Sequence, residues 1–342
     1  MIKLSENGNI DKRFVKLKNR QPVCMSCVFG RSHSQPWISK KAPGIIRKEI
    51  ETEPGDFVSI DQIVSAQPGL IPQISGYLTN MRIWGATVFV NHVSDYTHVA
   101  LMRDLTLDKT LLAKTSFERL ANDGGVAIKS YRADNGRFAD KGFHDAVKYN
   151  NQTITFCAVG GHHKNGKFER KIKELSLIAR TLLIHAIRHW PEYTTTTMWP
   201  FSLKEAAFSL NKLSIWTDGR INEATLFGID GNIIEPEMFH TFGCPCFVLD
   251  ARLQSGLITC PKWNPISRLG IYVGHSPAHA GTVALVLNPR TGHVSPQFRI
   301  VFDDLFTTVP FMNKSQIPPN WAELVKDSRE LVIDEQFNLA KT

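Results

Sequence analysis

Apolar side chains crowd residues 56–64 (DFVSIDQIV) with one acid, Asp61, among them, the pattern of a buried strand. A Pro/Gly segment, SAQPGLIPQISG, follows and predicts a loop. Residues 84–93 (WGATVFVNHV) and 97–105 (THVALMRDL), joined by SDY, predict a β-hairpin. Residues 108–121 have helical spacing through Leu111, Leu112, Thr115, Phe117 and Leu120, and Asn122-Asp-Gly-Gly ends the run. VAIKSYRAD (126–134) predicts a strand that ends on an acid, 142–150 a short helix, and TITFCAV another strand. From about residue 165 to 189, Leu175, Ile178, Leu182 and His185 share one helical face, and Pro191 stops the helix. A further helix is expected over 201–213.

Beyond residue 240 the texture changes to short strands. FGCPCFVLD, RLGIYVG, GTVALVLN and HVSPQFRIVFDD alternate with turn residues, and NPRTG reads as a hairpin turn. The first part therefore predicts an α/β core and the second a small β-barrel or sheet. The expected division is 1–50, a basic leader; 51–220, the core; 221–310, the connector (214–239 marks the boundary) and β module; and 311–342, a tail. No internal repeat is visible.

The chain has 342 residues, 42% hydrophobic and 21% charged, enough for at least one sizeable core. No stretch approaches the roughly 18 apolar residues of a membrane span. The first residues, MIKLSENGNIDKR, lack a signal-peptide apolar region. Six cysteines do not make an oxidised framework, and a reducing compartment is expected. The formal net charge of +8 is localised. Residues 1–50 hold eleven Lys/Arg and three acids, and the other 292 residues hold 29 of each sign. A basic arm before a balanced body fits a polyanionic partner, most simply nucleic acid, or else a solvated leader.

Three acids stand where a buried cluster would place them: Asp61 inside an apolar strand, Asp134 at the end of another, and Glu169 near the start of the long helix. Each alone also fits an ordinary edge or cap acid. Carboxylates brought together repel, and divalent cations relieve that repulsion. Mg²⁺ or Mn²⁺ would suit such oxygen ligands, and paired ions about 4 Å apart can activate a hydroxyl and stabilise the leaving oxygen of a phosphodiester.

SIDQ (59–62), RADNGRF (132–138) and NGKFERKIKEL (165–175) resemble the integrase core of copia-type LTR retrotransposons. Asp134 and Glu169 are 35 residues apart, the spacing of the D-D-35-E signature, and Asp61 precedes Asp134 by 73. The resemblance continues through IARTLLIHA, WPFSLKEAAFSLN, FGCPCFVLD and RLGIYVGHSP to HVSPQFRIVFDD, and so covers roughly residues 20–310. It implies a ribonuclease-H-like fold, a mixed five-stranded sheet with helices, followed by an SH3-like β module. It further implies Asp61, Asp134 and Glu169 as catalytic, metal-binding residues of a polynucleotidyl transferase. The implied reaction is DNA strand transfer, in which a 3′-hydroxyl of element DNA attacks a target phosphodiester. DNA would be the partner, the working form a homo-oligomer, and the site of action the nucleus, with the cytoplasm otherwise. Asn135 would contact substrate or the second acid, Gly136 would allow a tight turn, and Asn165 and Gly166 match the pair opening the catalytic helix. Lys164, Lys167, Arg170, Lys171 and Lys173 surround Glu169. Alone they fit a solvated helix face; beside such a triad they become expected phosphate contacts.

The sequence departs from the family at several points. Cys24-x-x-Cys27 resembles the second half of a His-His-Cys-Cys zinc module, yet residues 1–23 contain no histidine, so the Zn²⁺ ligand set is incomplete. A truncated element, or a chain beginning inside that module, is the expectation. Cys244 and Cys246 are expected as core thiols. Lys164, Phe168 and Asn91 stand where relatives favour glutamine, a small residue and aspartate. Two other readings stay open: a decayed or co-opted copy that binds nucleic acid without catalysis, and another ribonuclease-H-like nuclease or transposase.

Overall fold

The alternating segment around Asp61 forms β1 (Val58–Gly69), the central strand of the first sheet. In this computed structural model the described residues are 24–31, 53–71, 81–134, 136–156, 166–214, 219–229, 238–249, 253, 259–276, 279, 282–312, 317–318, 321–322 and 325. β1 pairs antiparallel with β2 (Ile83–Asn91), and β2 antiparallel with β3 (Thr97–Met102). On its other side β1 runs parallel to β4 (Ser130–Ala133), and β4 parallel to β5 (Thr153–Phe156). The order β3-β2-β1-β4-β5, antiparallel on one side and parallel on the other, is the mixed sheet of the ribonuclease-H-like fold.

Period-two alternation gives this sheet two apolar faces. Val58, Ile60, Phe89, Tyr131 and Ala133 meet Ala113, Phe117 and Ala121 of α2 (Leu107–Asp123), which follows the short α1 (Met25–Arg31) in the chain; Phe143 and Val147 of α3 (Lys141–Tyr149) join them. Ala86, Val88, Val90 and Val99 face the other way. They meet Leu175 and Ala179 of α4 (Gly166–His189) and Leu203, Ala206 and Leu210 of α5 (Trp199–Leu213). Among the described residues no helix is long and apolar enough to cross a membrane.

Three local expectations change. β1 does not stop at residue 64 but runs on through Pro68. The register slips there, an advance of five positions from Val64 to Gly69 facing one of two from Gly85 to Ile83. Such an irregularity takes a residue without an N–H out of the ladder. In α2 the buried positions are Thr110, Ala113, Lys114, Phe117 and Ala121, whereas Leu112 is 61% exposed. Leu111, Phe117 and Leu120 pack on the core as expected, and Lys114 joins the inward face with a partner, Glu118 (Nζ–Oε1 2.8 Å). The third change concerns the C-terminal strands.

There, β6 (Pro245–Leu249), β7 (Ser267–His275), β8 (Ala284–Leu287), β9 (Val294–Gln297) and β10 (Ile300–Phe302) form an antiparallel sheet in the order β10-β6-β7-β8-β9. The segment expected as a single strand is two, β9 and β10, at opposite edges. Only Phe298 and Arg299 separate them. Three Cα steps span at most about 11 Å, so the sheet must curl until its edges approach, as in a small SH3-like barrel. The NPRTG turn forms as expected, with Gly292 at φ 69° and its N–H on the Asn288 carbonyl.

Nor does this sheet stand apart from the helices. Leu183, Ala186 and Trp190, at the α4 end, share a core with Cys244, Cys246, Val248, Ile271 and Tyr272. α4 therefore buries its first half against one sheet and its second half against the other. Glu205 of α5, itself buried, receives Tyr272 Oη at 3.4 Å, and Tyr272 Oη lies 2.8 Å from His275 Nδ1. In the expected connector, α6 (Asn222–Phe227) packs back on the first core through Leu226.

The β2–β3 turn is organised by Asn91. Its Oδ1 accepts the N–H groups of Val93 (3.0 Å) and Ser94 (2.9 Å) and the Ser94 hydroxyl (3.0 Å), which holds Asp95 at φ 56°. Asn91→Ala strands these donors in a buried turn and is expected to cost about 2–3 kcal/mol. Urea unfolding checks this, and a change below about 0.5 kcal/mol removes Asn91 from that role.

Candidate functional site

The register of β1 and β4 brings two of the three acids together. Val58 pairs with Tyr131 and Ser59 with Arg132, an offset of 73 residues. Asp61 and Asp134 are separated by the same 73 residues, so this register, carried two positions on, sets Asp61, within β1, beside Asp134, just past the end of β4. Parity fixes their face. Val58, Ile60, Tyr131 and Ala133 belong to the α2 side, which sends Asp61 and Asp134 to the α4 side. Asp61 lies opposite Val88, a member of the α4–α5 core. Glu169 stands in the first turn of α4, directly after Phe168, whose ring is buried in the same core. Phe168 thus anchors the turn that carries the third acid.

Their electrostatics are coupled. The Asp61 carboxyl is held above the usual aspartate range, chiefly by burial and further by the negative charges of Asp134 and Glu169. The Gln62 N–H, donating to Asp61 Oδ1 at 2.7 Å, works in the opposite direction. Asp134 Oδ1 accepts the Gly136 N–H at 3.2 Å. Gly136 has φ −81°, outside the left-handed region. What its lack of a side chain supplies is clearance, because a Cβ would lie 3.2 Å from Asp134 Oδ1. Three mutually repelling carboxylates fit a hard divalent cation in donor chemistry. Among the described residues, though, no three His, Cys, Asp or Glu side chains are gathered closely enough to hold a metal ion.

The basic residues divide. Arg170 and Lys173 are exposed on α4, near Glu169. Lys171 is not an open phosphate contact: it is 9% exposed, and its ammonium meets Glu174 at 3.0 Å and Asp95 at 3.7 Å. Helical geometry turns position 171 inward, and the acids compensate its burial. Asn135, Lys164 and Asn165 lie outside the described residues, as does the side chain of Lys167.

Cys24 is exposed and Cys27 half-buried at the start of α1, and the Cys27 N–H donates to Cys24 Sγ at 3.4 Å. α1 packs on the second half of α4, with Ser26 Oγ 3.5 Å from His185 Nδ1. Even so, His185 completes no described metal cluster with the cysteine pair. Cys244 and Cys246 lie in the apolar core, where burial pushes both thiols up, Cys246 to about 12. Sequence reasoning missed Trp84 and Arg103 at the same end of the sheet as the acids. Trp84 opens an apolar run and so reads as core, but it is 44% exposed.

No protein-family model matches the sequence, and no curated protein matches it. Among solved structures, the chain is similar to the HTLV-2 integrase catalytic core domain in complex with magnesium, at 16% identity over 51% of this chain and 98% of that one, with a TM-score of 0.34. It is similar to the BIV integrase catalytic core domain at 16% identity over 51% and 95%, with a TM-score of 0.36. A simian T-cell lymphotropic virus intasome in complex with PP2A regulatory subunit B56 gamma gives 14% identity over 88% and 98%, with a TM-score of 0.41.

Proposed function

We propose that this chain is a copia-type retroelement integrase, a polynucleotidyl transferase that joins element DNA to target DNA. In that reaction a 3′-hydroxyl forms a new P–O bond as the target P–O bond breaks, so the number of phosphodiesters is unchanged. The observation that carries the reading is the β1–β4 register, which sets Asp61 beside Asp134 on the face that also bears Glu169. The collinear motifs around all three acids support it. Asp61, Asp134 and Glu169 would hold Mg²⁺ or Mn²⁺, which supplies charge neutralisation for the phosphoryl group and the departing oxygen. The protein's own part is positioning. The Gln62 and Gly136 N–H groups orient two of the carboxylates, Phe168 fixes the turn bearing the third, and Arg170 and Lys173 meet DNA phosphates. Element ends and target DNA are the substrates, and self-association and nuclear action belong to the same proposal.

Incubating the chain with labelled duplex DNA and Mg²⁺ or Mn²⁺ tests it. Joined or nicked products are expected from the wild type and background levels from Asp134→Asn. A wild type no better than Asp134→Asn sinks the enzymatic reading. One observation favours a second reading, binding without catalysis: the absence of a closely gathered metal cluster among the described residues. On that reading the chain binds DNA with steep salt dependence and yields no product.

A further inference from the structure

On the acids' own face, about four residues further along β2, the structure gathers an exposed indole and two guanidinium groups. Gly85 pairs with Met102, so Trp84 lies opposite Arg103, one residue beyond. Trp84 has the parity of Ala86 and Val88, and Arg103 that of Val99 and Leu101, residues that pack toward α4 and α5. The chain past this row is not covered as they are: Trp84 is 44% and Met81 47% exposed, and Arg103 is exposed as well. Both arginines close on Met81. Arg82 Nη1 donates to the Met81 carbonyl at 3.2 Å, and Arg103 Nη1 approaches Met81 Sδ at 2.8 Å. Two like charges therefore share one residue beside an aromatic face. The neighbouring acid, Asp104, is engaged by the N–H and hydroxyl of Thr106. Along β2, Trp84 is four residues from Val88, the partner of Asp61, a separation of roughly 13 Å.

We propose that Trp84, Arg82 and Arg103 form a platform for an unpaired DNA segment that leads into the acidic site. The indole stacks on a base, and the guanidinium groups meet the adjoining phosphates. A stacked strand advances about 3.4 Å per nucleotide, so the platform lies a few nucleotides from Asp61. Aromatic stacking is indifferent to sequence, which gives the platform a preference for single-stranded over paired DNA. An apolar protein partner would not need two cations at the rim; a phosphate backbone does. The proposal rests on the DNA-processing reading above and deepens it.

The test is fluorescence anisotropy of the full chain with two probes, a blunt duplex and the same duplex carrying a single-stranded tail. The wild type is expected to bind the tailed probe more tightly. Trp84→Ala is expected to weaken the tailed probe by about tenfold and leave the blunt probe unchanged. Trp84→Tyr, which keeps a stacking ring and reports whether the site still folds, restores most of that loss. Arg103→Ala lowers the salt dependence of tailed binding by close to one counterion. Equal tailed binding by wild type and Trp84→Ala overturns the platform, as does a loss shared equally by both probes, or a protein that binds neither. The two proposals fail separately. Product formation with normal tailed binding by Trp84→Ala leaves the integrase reading standing without the platform. Trp84-dependent binding without any product leaves the platform and removes the enzyme.

Discussion

Glu118→Ala is expected to destabilise the protein by about 3–5 kcal/mol, because it leaves a buried ammonium without a partner. Lys114 is 2% exposed in the face of α2 that covers the sheet. Glu118 meets its Nζ at 2.8 Å through Oε1 and 3.0 Å through Oε2. The same carboxylate accepts the hydroxyl of the buried Tyr131 at 2.7 Å and the side-chain amide of Gln152 at 2.6 Å. One carboxylate thus joins α2, β4 and the turn before β5. Its removal leaves a charge and a phenol without their acceptor in an apolar layer. It also takes one of the two acceptors from the Gln152 amide, which keeps the Ile128 carbonyl, and each loss carries a desolvation cost. The denaturant midpoint should fall without a change of slope. The double substitution Lys114→Met with Glu118→Leu should recover much of the loss, since it removes the charge together with its partner. If Glu118→Ala costs less than about 1 kcal/mol, the network does not hold the sheet to α2.

This network also marks where the sequence stopped being informative. Hydrophobic spacing located α2 to within two residues at each end and put Leu111, Phe117 and Leu120 rightly on the core side. Yet it also put Leu112 and Thr115 there, which are exposed, and gave no sign of the buried Lys114. A lysine four residues before a glutamate reads equally as a surface pair, and only the third dimension shows that Tyr131 and Gln152 converge on it. Lys171 misled for the same reason: a basic run is uniform in sequence, but a helix turns its members to different surroundings, and Asp95 comes from a distant turn. The extension of β1 through Pro68 was hidden because a bulge accommodates a residue that normally forbids pairing. The split of β9 from β10 was hidden because both halves alternate alike.

The acids were more legible than the helices around them. Strand parity and a fixed parallel register convert a sequence separation into a spatial one, and the 73 residues between Asp61 and Asp134 equal the β1–β4 offset. No comparable rule links residue 169 to the sheet. Its place depends on where α4 begins and on how Phe168 seats in the core.

Asp61→Asn is expected to abolish joining while making the fold more stable at neutral pH. The two effects have one origin. Burial and the charges of Asp134 and Glu169 raise the Asp61 carboxyl above its ordinary value, so the folded state holds the proton more tightly than the unfolded chain does. The stabilising contribution is full below the unfolded value and is lost as pH rises through the folded one, so at pH 7 the ionised group is a net cost. Asparagine removes the charge and retains an oxygen for the Gln62 N–H. The variant should therefore melt above the wild type at pH 7, and the difference should shrink toward about pH 3, where aspartate is itself neutral. Joining should drop by about a hundredfold or more, the usual consequence of deleting a group that manages transition-state charge. Mg²⁺ or Mn²⁺ offers an independent readout, since an ion that binds only the folded state raises its melting temperature. The wild type should gain from the ion and Asp61→Asn should not. A variant that melts below the wild type at pH 7 and still joins DNA would show that Asp61 is a structural acid, and that the carboxylates on this face were not assembled for catalysis.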